Sequence, residues 1–439
     1  MSSNKGMLKY LIALVLICST TTSTRAQEEI FSLGFQLGTG ARSLAMGGAY
    51  SSIGGDYSAS LWNPAGLADI KRIEVFGSMS HLMRQNVAGL GIAGIDDVEH
   101  DASFTKLNDF GFAYPVPTIQ GSLVFAFGFN RVKTFDSNFA FEWFNSTSDD
   151  SVNQAWREIH KGSLNVWNFS GAVDVSPNVS LGLGLNFWTG GNDTEFSFRD
   201  VDIDNIWFED VITKEKNVDS KINGFNLKGG GLFRIGRLLR IGGTISTPVT
   251  FNVDETWSTF VDTLLDDGTL IQDPPDEGFL EYKIQSPWTF SAGASLNLLN
   301  LVVSGDIEYS DWSQVEFKSD PPDKQYSQTS ANRLIRDHYR ATTRYRLGAE
   351  FTLPLTGLSF RAGYFYDPSI LQNRDRDEDK QFYSAGVGFL VDKQVKLDVA
   401  FVHGFWKRFN SGLEGTNDIG SYFEDIKTNR VFVTLAFRM

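Results

Sequence analysis

The residue types that most often carry chemistry occur in this chain without the spacing that such chemistry needs. The five histidines are scattered, and none stands at the distance from a second ligand that zinc sites show. The glycine run at 229–231 lacks the lysine and hydroxyl residue of a phosphate-binding loop. No Gly-x-Ser-x-Gly elbow stands at a strand-to-helix junction. We therefore expect no catalytic residue, no metal site and no cofactor, and we predict that the protein is not an enzyme.

A first set of candidate binding residues is aromatic. The segment 133–161, KTFDSNFAFEWFNSTSDDSVNQAWREIHK, holds many large rings between two predicted strands. As an external loop it would expose them, and an exposed apolar patch of this kind marks a binding surface. The rings predicted to capture an apolar ligand are Phe135, Phe139, Phe141, Trp143 and Phe144. The alternative is that these rings pack against neighbouring loops.

A second set consists of arginines on segments of alternating polarity. If Tyr345, Phe360 and Val431 face lipid, the residues between them face the interior. The inward arginines are then Arg344, Arg346, Arg361 and Arg430, accompanied by Asp306, Glu308, Glu350 and Asp398. One interpretation is a ladder of opposite charges that fills the interior and holds an inserted segment. The other is that one arginine binds a ligand carboxylate through two parallel N–H groups.

The N-terminus has the pattern of an export signal. A basic start precedes the short apolar run 11–18, and TRA at 24–26 offers small residues for cleavage. Cleavage of 1–26 would remove Cys18, the one cysteine, so no disulfide framework is expected. It would also remove three of the 39 basic residues and leave 36 against 53 acidic ones, a formal charge of −17. Such a charge argues against nucleic-acid binding.

The elements that position these residues are predicted to be β-strands. In 395–401 (VKLDVAF) and 239–251 (LRIGGTISTPVTF), apolar residues alternate with polar or small ones, so each strand has two different faces. Most of these segments exceed the usual length of about 5–6 residues in globular sheets and are long enough for tilted membrane strands. The predicted strands lie near 73–83, 107–115, 121–132, 162–175, 179–190, 222–235, 238–251, 284–297, 300–311, 341–353, 357–366, 381–391, 394–406 and 427–438.

The connections between these strands alternate between short and long. Short turns such as 176–178 would lie on one rim, and long loops such as 191–221 and 252–283 on the other. This alternation is typical of an outer-membrane barrel, with turns in the periplasm and loops outside. We predict an all-β, 14-stranded antiparallel transmembrane β-barrel over 72–439, with 86–95 as loop. The rings expected in its outer aromatic girdle are Trp188, Tyr309, Trp312, Tyr345, Tyr364, Tyr366, Tyr383 and Trp406.

The segment ahead of the first strand resembles a known pattern. GTGARSLAMGGAYSSIGGDYSASLWNPAGLADI (38–70) resembles the N-terminal region of the FadL/TodX-type outer-membrane transporters of long-chain fatty acids and hydrophobic compounds. YRLGAEF (345–351) and LSFRAGYFYDPS (358–369) also look similar to that family. The resemblance implies a 14-stranded barrel whose N-terminal segment, here 27–71, forms a plug with short helices. The pattern is similar to the PorV/PorQ-type barrels of protein secretion as well, which share the fold.

The residues of this segment independently suit a compact insert. Glycine pairs at 47–48 and 54–55 interrupt it, and proline excludes helix at the residue before it. The residues predicted to fix the plug against the wall are Trp62, Asn63, Pro64, Ala65 and Gly66. The alternative is a disordered exported N-terminus.

These patterns lead to one expected function and one alternative. We expect passive uptake of a hydrophobic molecule, such as a long-chain fatty acid, by a monomer among the outer-membrane lipid and lipopolysaccharide of a Gram-negative bacterium. The segment 133–161 would capture the ligand, and a break in the wall near 229–231 would release it sideways. The alternative is a PorV/PorQ-like role in protein secretion or surface attachment.

Overall fold

The computed structural model describes residues 38–89, 97–146, 151–372, 375–391, 394–411 and 421–439. Most of these residues belong to one antiparallel sheet. Within the described ranges, no helix has the length and apolar character needed to cross a membrane. The predicted signal peptide (1–26) and the first part of the predicted plug (27–37) lie outside the described residues.

The sheet consists of strand segments numbered here in chain order. They are β1 (Glu74–Gly89), β2 (Val98–Val116), β3 (Leu123–Thr134), β4 (Ser137–Ser146), β5 (Ser151–Ser176), β6 (Val179–Asp202), β7 (Glu209–Ile235), β8 (Leu239–Ser246), β9 (Thr250–Leu265), β10 (Leu270–Gln272), β11 (Asp276–Gln285), β12 (Thr289–Leu298), β13 (Leu301–Asp311), β14 (Glu316–Phe317), β15 (Ala341–Thr352), β16 (Leu358–Asp367), β17 (Lys380–Val391), β18 (Val395–Ser411) and β19 (Ser421–Arg438). The described α-helices are α1 (Ala41–Ala45), α2 (Ala59–Trp62) and α3 (Gln328–His338). Short 3₁₀ turns cover Pro64–Asp69, Trp312–Gln314 and Arg376–Glu378.

The sheet closes on itself, which confirms the predicted barrel. β1 pairs with β19 on one side, from Glu74 opposite Arg438 to Gly89 opposite Phe423, and with β2 on the other. Four barrel strands are each built from two consecutive segments, namely β3 with β4, β8 with β9, β11 with β12 and β13 with β14. β10 is a three-residue strand that pairs with the end of β9, so it is not counted as a separate barrel strand. The result is the predicted antiparallel barrel of 14 strands.

Alternating polarity explains why these segments form a membrane barrel. In β6, Leu181, Leu183 and Phe187 point outward and are 43% to 53% exposed, whereas Ser180 and Asn186 point inward and are buried. Covering apolar surface with lipid instead of water gains roughly 25 cal/mol per Å². The outward apolar band therefore fits a bilayer, and the polar inner face fits a lumen that holds other protein groups.

The long connections differ from the sequence-based expectation. β5, β6 and β7 are 26, 24 and 27 residues long and continue well past the predicted strand ends. The segments expected as loops at 133–161, 191–221 and 252–283 are therefore mostly β-hairpins. These segments carry polar and apolar residues on both faces. Without one apolar and one polar face, a strand cannot be recognised from its alternation.

Two further expectations about the outer rim are wrong. Residues 86–89 extend β1, so that part of 86–95 is strand and not loop, while 90–96 lie outside the described residues. Trp188 and Trp312 are 5% exposed and pack inside the barrel, so they do not belong to an aromatic girdle in contact with lipid. Their indole N–H groups find buried acceptors within the lumen, which satisfies the polar end of each ring.

Two neighbouring barrel strands change face partway along their length. β8 is separated from β9 at 247–249 and β12 from β11 at 286–288, and each break contains a proline, which donates no ladder hydrogen bond. Below the break Ile245 is 44% exposed, whereas above it Phe251 is buried. The expectation that 239–251 form one strand with a single apolar face is therefore wrong. The break turns the apolar face of β9 into the lumen.

Candidate functional site

The described part of the N-terminal segment, residues 38–70, lies inside the barrel and is called here the plug. A Cβ placed on Gly363 would lie 2.1 Å from the amide nitrogen of Gly47, and one on Gly242 would lie 1.9 Å from the carbonyl oxygen of Ser51. The inward wall glycines in such close contact with the plug are Gly111, Gly128, Gly182, Gly230, Gly242, Gly348, Gly363 and Gly386. The small residues on the inner face therefore form the seat of the plug.

The Asn-Pro-Ala motif joins the plug to the wall. Pro64 begins a 3₁₀ turn, and the Asn63 side-chain oxygen accepts a hydrogen bond from the Ala65 amide (3.1 Å). The Nδ2 of Asn63 donates to the carbonyl oxygen of Ser51 within the plug (2.6 Å) and to that of Gly231 in β7 (3.0 Å). One side chain thus caps the turn, links two parts of the plug and reaches the wall.

The residues on either side of this motif pack against the plug and the wall. The indole N–H of Trp62 donates to the carbonyl oxygen of Thr39 (3.2 Å), and the Arg346 guanidinium lies 5.3 Å from the centre of its ring. Gly66 faces the carbonyl oxygen of Ile53, 2.9 Å from where a Cβ would stand. The five predicted plug residues therefore make different contacts: Asn63, Pro64 and Ala65 meet the wall at β6 and β7, Trp62 meets Arg346 of β15, and Gly66 packs within the plug.

A network of buried charges ties the plug to the opposite wall. Arg42 of α1 donates to both carboxylate oxygens of Glu350 in β15 (2.7 and 2.9 Å) and to Asp56 (3.1 Å). Glu350 also accepts from Arg361 in β16 (2.5 Å). Burial alone would raise the pKa of Asp56, but the positive charges of Lys396 and Arg42 hold this pKa at about 2. The carboxylate of Asp56 therefore stays ionised at neutral pH and neutralises the guanidinium of Arg42.

The structure divides the four predicted arginines into two kinds. Three are in ion pairs with carboxylates of the wall, as the charge-ladder interpretation requires. These pairs are Arg361 with Glu350 and Asp398, Arg344 with Glu308 and Asp367, and Arg346 with Glu308, at 2.5 to 3.2 Å. Arg430 is 9% exposed and lies over the ring of Phe432 at 5.6 Å. Within the described part of the chain it has no ion pair, and its Nε has no hydrogen-bond partner.

Above the plug, apolar side chains line the lumen and form what is called here the upper-lumen cluster. It consists of Val132, Leu164, Val166, Trp188, Ile222, Val249, Phe251, Val253, Tyr282, Ile284, Trp312, Val315, Phe317, Ala331, Ile335, Tyr339, Ile370 and Leu371. Helix α3 contributes Ala331 and Ile335, and Leu61 of the plug packs against the cluster. The inward turn of β9 supplies Phe251. These side chains are buried against one another, so an apolar molecule would have to part them, and it would then meet few hydrogen-bonding groups.

The predicted capture residues do not form one exposed patch. Phe139 is 4% exposed, and Phe135 packs against the upper-lumen cluster. Phe144 is 53% exposed on the other face of β4, whose backbone also includes Phe141 and Trp143. The aromatic segment is thus a hairpin extension of the wall, with rings on both of its faces.

The wall is open between β2 and β3. Their hydrogen-bonded ladder ends at Asp109 opposite Asn130, although β2 runs on upward and β4 continues the line of β3. Above that point the two edges are bridged by side chains, with the Lys106 Nζ donating to Asp136 at 2.7 Å. This opening between β2 and the β3–β4 edge, above Asp109 and Asn130, is called here the wall gap.

The wall gap was not expected from the sequence, and the predicted break at 229–231 is wrong. Gly229, Gly230 and Gly231 are paired on both sides, with β6 and with β8, and Gly230 makes room for Asn63. In the sequence, the position of the wall gap is marked only at 131–133, where the apolar alternation of β3 ends. In the structure, a β-bulge against β5 lies there.

This architecture has a counterpart among known families. The family described as outer membrane protein transport protein (OMPP1/FadL/TodX) matches residues 19–434. The chain belongs to this family. FadL/TodX proteins are outer-membrane β-barrels of Gram-negative bacteria, which places this chain in that membrane. The family is one of transport proteins and not of enzymes.

Solved structures of FadL/TodX proteins share the fold. The toluene transporter TodX of P. putida is 13% identical with a TM-score of 0.62, and the match covers 92% of this chain and 99% of that one. With the same coverages, a FadL homologue of Pseudomonas aeruginosa is 14% identical (TM-score 0.60) and the Ralstonia pickettii toluene transporter TbuX 16% identical (TM-score 0.53). No curated protein matches the chain. Identities this low establish a common fold, so the ligand must be argued from the residues of this chain.

Proposed function

We propose that the protein is a passive channel that takes a hydrophobic molecule, such as a long-chain fatty acid, from the cell surface. The molecule enters the upper-lumen cluster and leaves sideways into the membrane through the wall gap. Membership of the FadL/TodX family supports uptake of hydrophobic compounds in general. The observation that carries the route is that the wall opens above the plug, whose described residues 38–70 fit closely against the inner wall.

The close fit of the plug argues against a straight path to the periplasm. Wall glycines contact it so tightly that a single added carbon atom would collide with its backbone or side chains. A cavity between plug and wall, beside Asp56 and Lys396, has a volume of about 10 Å³, enough for one water molecule. An acyl chain cannot pass such a contact without displacing the plug.

The position of the wall gap supports exit into the bilayer. Just below it, on the outer surface, Phe110 stacks on Phe129, and Trp167 meets both rings edge to face, with ring centres 5.3 to 5.7 Å apart. Phe127 adds a further ring stacked on Trp167 at 5.7 Å. These outward rings belong to the apolar band that faces lipid, so the lower edge of the gap opens at the depth of the membrane.

The energetics of this route require no coupling to an energy source. Burying an acyl chain contributes about 0.8 kcal/mol per CH₂ group. Transfer from the upper-lumen cluster to the hydrocarbon core exchanges one apolar environment for another and costs little. A molecule captured from water therefore moves downhill at every stage.

The aromatic hairpin is proposed as the entry to the route. Phe144 is exposed on the outer face, whereas Phe135 and Phe139 turn toward the lumen. An apolar molecule that binds at the exposed ring can exchange onto the inward ones without returning to water. We propose that the closed barrel works as a monomer, with lipid and lipopolysaccharide covering its outward apolar band.

The experiment is a reversible lock on the wall gap. Cysteines replace Lys106 and Asp136, which face each other across it, and a short bifunctional thiosulfonate reagent joins them. Uptake of labelled oleate, in a host that lacks its own transporter, should stop on cross-linking and return on reduction. The control pair, Lys161→Cys with Asp193→Cys, lies across the closed β5–β6 ladder and should not respond.

Two outcomes would contradict the proposed route or function. Undiminished uptake in fully cross-linked protein would rule out exit through the wall gap. If the wild type gives no uptake at all, and deletion of the gene in its own host blocks surface delivery of secreted proteins, the secretion alternative holds instead.

A further inference from the structure

The antiparallel sheet has an open edge above its break at 286–288. β11 pairs with β9 along its whole length, from Asp276 to Gln285, whereas its other side pairs with β14 only at 284–285. The barrel strand on that side ends early, because β13 stops at Asp311 and β14 is two residues long. Among the strands that the structure describes, none pairs with this side of β11 at 276–283. The stretch 276–282 is called here the β11 edge.

Hydrogen bonds at the lower end of β11 show which backbone groups face the open side. The amide of Lys283 donates to the Ser319 hydroxyl (2.8 Å), and its carbonyl oxygen accepts from the amide of Lys318 (2.7 Å), so both groups point away from β9. Since backbone groups in a strand change side with every residue, three residues of the β11 edge are in the same phase, namely Glu277, Phe279 and Glu281. Within the described ranges, their N–H and C=O groups have no protein partner. An added strand would find there the row of donors and acceptors that it needs.

The side chains of the β11 edge lie outside the lipid. Lower in the same barrel strand, Trp288 and Phe290 face outward, with ring centres 6.4 Å apart. Above the break, the outward positions of β11 are charged except for one ring, namely Lys283, Glu281, Phe279 and Glu277. This change from apolar to charged residues marks the outer boundary of the membrane. The ring of Phe279 is 58% exposed there, so it is available to a protein partner and not to the acyl chains of lipid.

The hairpin that carries the β11 edge is strongly acidic. Residues 250–282 include nine acidic residues and no basic one. The residues of β9 opposite Glu277 and Glu281 are a serine and Asp254, so neither carboxylate has a base across the ladder. Asp254 does have one on its other side, since it lies opposite Lys221 of β7. Opposite charges that face each other across a ladder stabilise a sheet, and for the two edge carboxylates such a base can come only from the open side.

This charge determines which occupant fits the β11 edge. A second copy of the chain would bring the same carboxylates against Glu277 and Glu281, and charges of this kind protect natural edges from pairing with themselves. Lipopolysaccharide is anionic and offers no strand. A segment with basic residues at alternate positions would form ion pairs with both carboxylates, and an apolar residue between them would cover Phe279. The carboxylates also select such a segment, because they repel strands that carry acids.

From these observations we infer that the β11 edge binds a basic, extended segment of another protein as an added strand. Backbone hydrogen bonds to Glu277, Phe279 and Glu281 hold the segment, and their side chains select it. The edge spans about 23 Å at about 3.3 Å per residue, so the segment needs about seven residues. The inference goes beyond the proposed uptake, because it gives the barrel a docking surface for a protein at the cell surface, away from the lumen and the wall gap.

The test measures binding of a labelled peptide to the purified full chain in an uncharged detergent by fluorescence anisotropy. The probe is an acetylated and amidated peptide of sequence KTKTYTKTK, whose lysines and central tyrosine share one face of a strand. A second peptide carries N-methyl groups on its five central residues, which removes the amide donors and keeps every charge. The first peptide should bind, and the methylated one should bind at least about tenfold more weakly, because it cannot complete the ladder.

Two variants of the chain test the two parts of the β11 edge separately. Phe279→Pro removes one N–H from the open side, where proline is tolerated, and should weaken binding of the first peptide about tenfold. Glu277→Gln combined with Glu281→Gln keeps the backbone and should weaken binding by a similar factor, most at low salt. The matched control, Glu215→Gln with Asp219→Asn, removes the same charge from exposed positions of β7, which is paired on both sides, and should bind like the wild type.

Four results would overturn the inference. Equal binding of the two peptides would mean that charge alone attracts them and that no strand is added. An equal loss in the β7 control would mean that the acidic surface as a whole is responsible. Full binding to the Phe279→Pro variant would place the peptide elsewhere on the protein. If the wild type binds neither peptide, the β11 edge is closed to added strands.

Discussion

Replacing Glu350 with Gln should loosen the plug. The wild-type carboxylate neutralises two arginines at once, Arg42 of the plug and Arg361 of the wall, through contacts of 2.5 to 2.9 Å. Glutamine has nearly the same shape but leaves two buried guanidinium groups facing each other. Removing one partner of a buried charge network typically costs about 3–5 kcal/mol.

The lower end of that range applies here. Asp56 remains 3.1 Å from Arg42, and Asp398 remains 2.8 Å from Arg361, so neither cation loses all of its compensation. We expect a loss of about 3 kcal/mol in the seating of the plug, which is roughly a hundredfold in the ratio of seated to unseated protein. The control is Glu316→Gln, which breaks an exposed pair with Lys318 and should cost less than about 1 kcal/mol.

The assay is ion conductance of the purified protein in planar bilayers. An unseated plug leaves an aqueous path through the barrel, so the Glu350→Gln variant should show frequent openings that the wild type and the Glu316→Gln control lack. Addition of Arg42→Met should recover part of the seating, because removing both members of a buried pair is less harmful than removing one. An opening frequency equal to that of the control would refute the assignment of Glu350 as an anchor.

Three further predictions concern the plug and the wall gap. Gly363→Val should prevent seating, since even its Cβ would lie 2.1 Å from the amide nitrogen of Gly47; protease should then cleave the plug in detergent-solubilised protein. Lowering the pH should unseat the plug only near pH 2, because the pKa of Asp56 is held at about 2 in the folded protein against an ordinary 3.8. Its stabilising contribution is complete above the ordinary pKa and disappears as the pH falls through about 2; bilayer conductance against pH reports it, and opening already at pH 5 would contradict it. Arg430→Met should raise the midpoint of guanidinium unfolding in lipid vesicles, because it removes a buried charge that has no partner.

The parts of the fold that the sequence predicted are those where one face of a strand meets lipid. Leu181, Leu183 and Phe187 mark β6 as a strand because only the outward face is apolar. Beyond the membrane the outward face of β6 carries charged residues, as at Asp193 and Glu195. The pattern then loses its contrast, and the upper halves of the hairpins could not be predicted.

The site was predictable from the sequence only where neighbouring residues determine the local structure by themselves. Asn63 and Pro64 are neighbours in the sequence, and the turn that this pair favours predicts a fixed point in the plug. Phe251 and Ile370 belong to the same upper-lumen cluster, and β2 and β4 lie on the two sides of the wall gap. Long stretches of chain separate the members of each pair. Such pairings depend on closure of the barrel, and no local pattern encodes them.

Two routes out of the lumen can be compared from the groups that hold each one shut. The plug is fixed by eight close glycine contacts, by the hydrogen bonds of Asn63 and by the buried pairs around Glu350, and unseating it would break many of these together. The wall gap is bridged by the ion pair of Lys106 with Asp136, and the Lys106 side chain is one-third exposed. Asp136 itself is buried, and His100 of β2 also contacts the backbone of Ala140 in β4 at 2.6 and 3.2 Å. Opening the wall gap therefore breaks fewer contacts than displacing the plug, which favours the proposed route in which the plug stays seated and the ligand leaves sideways.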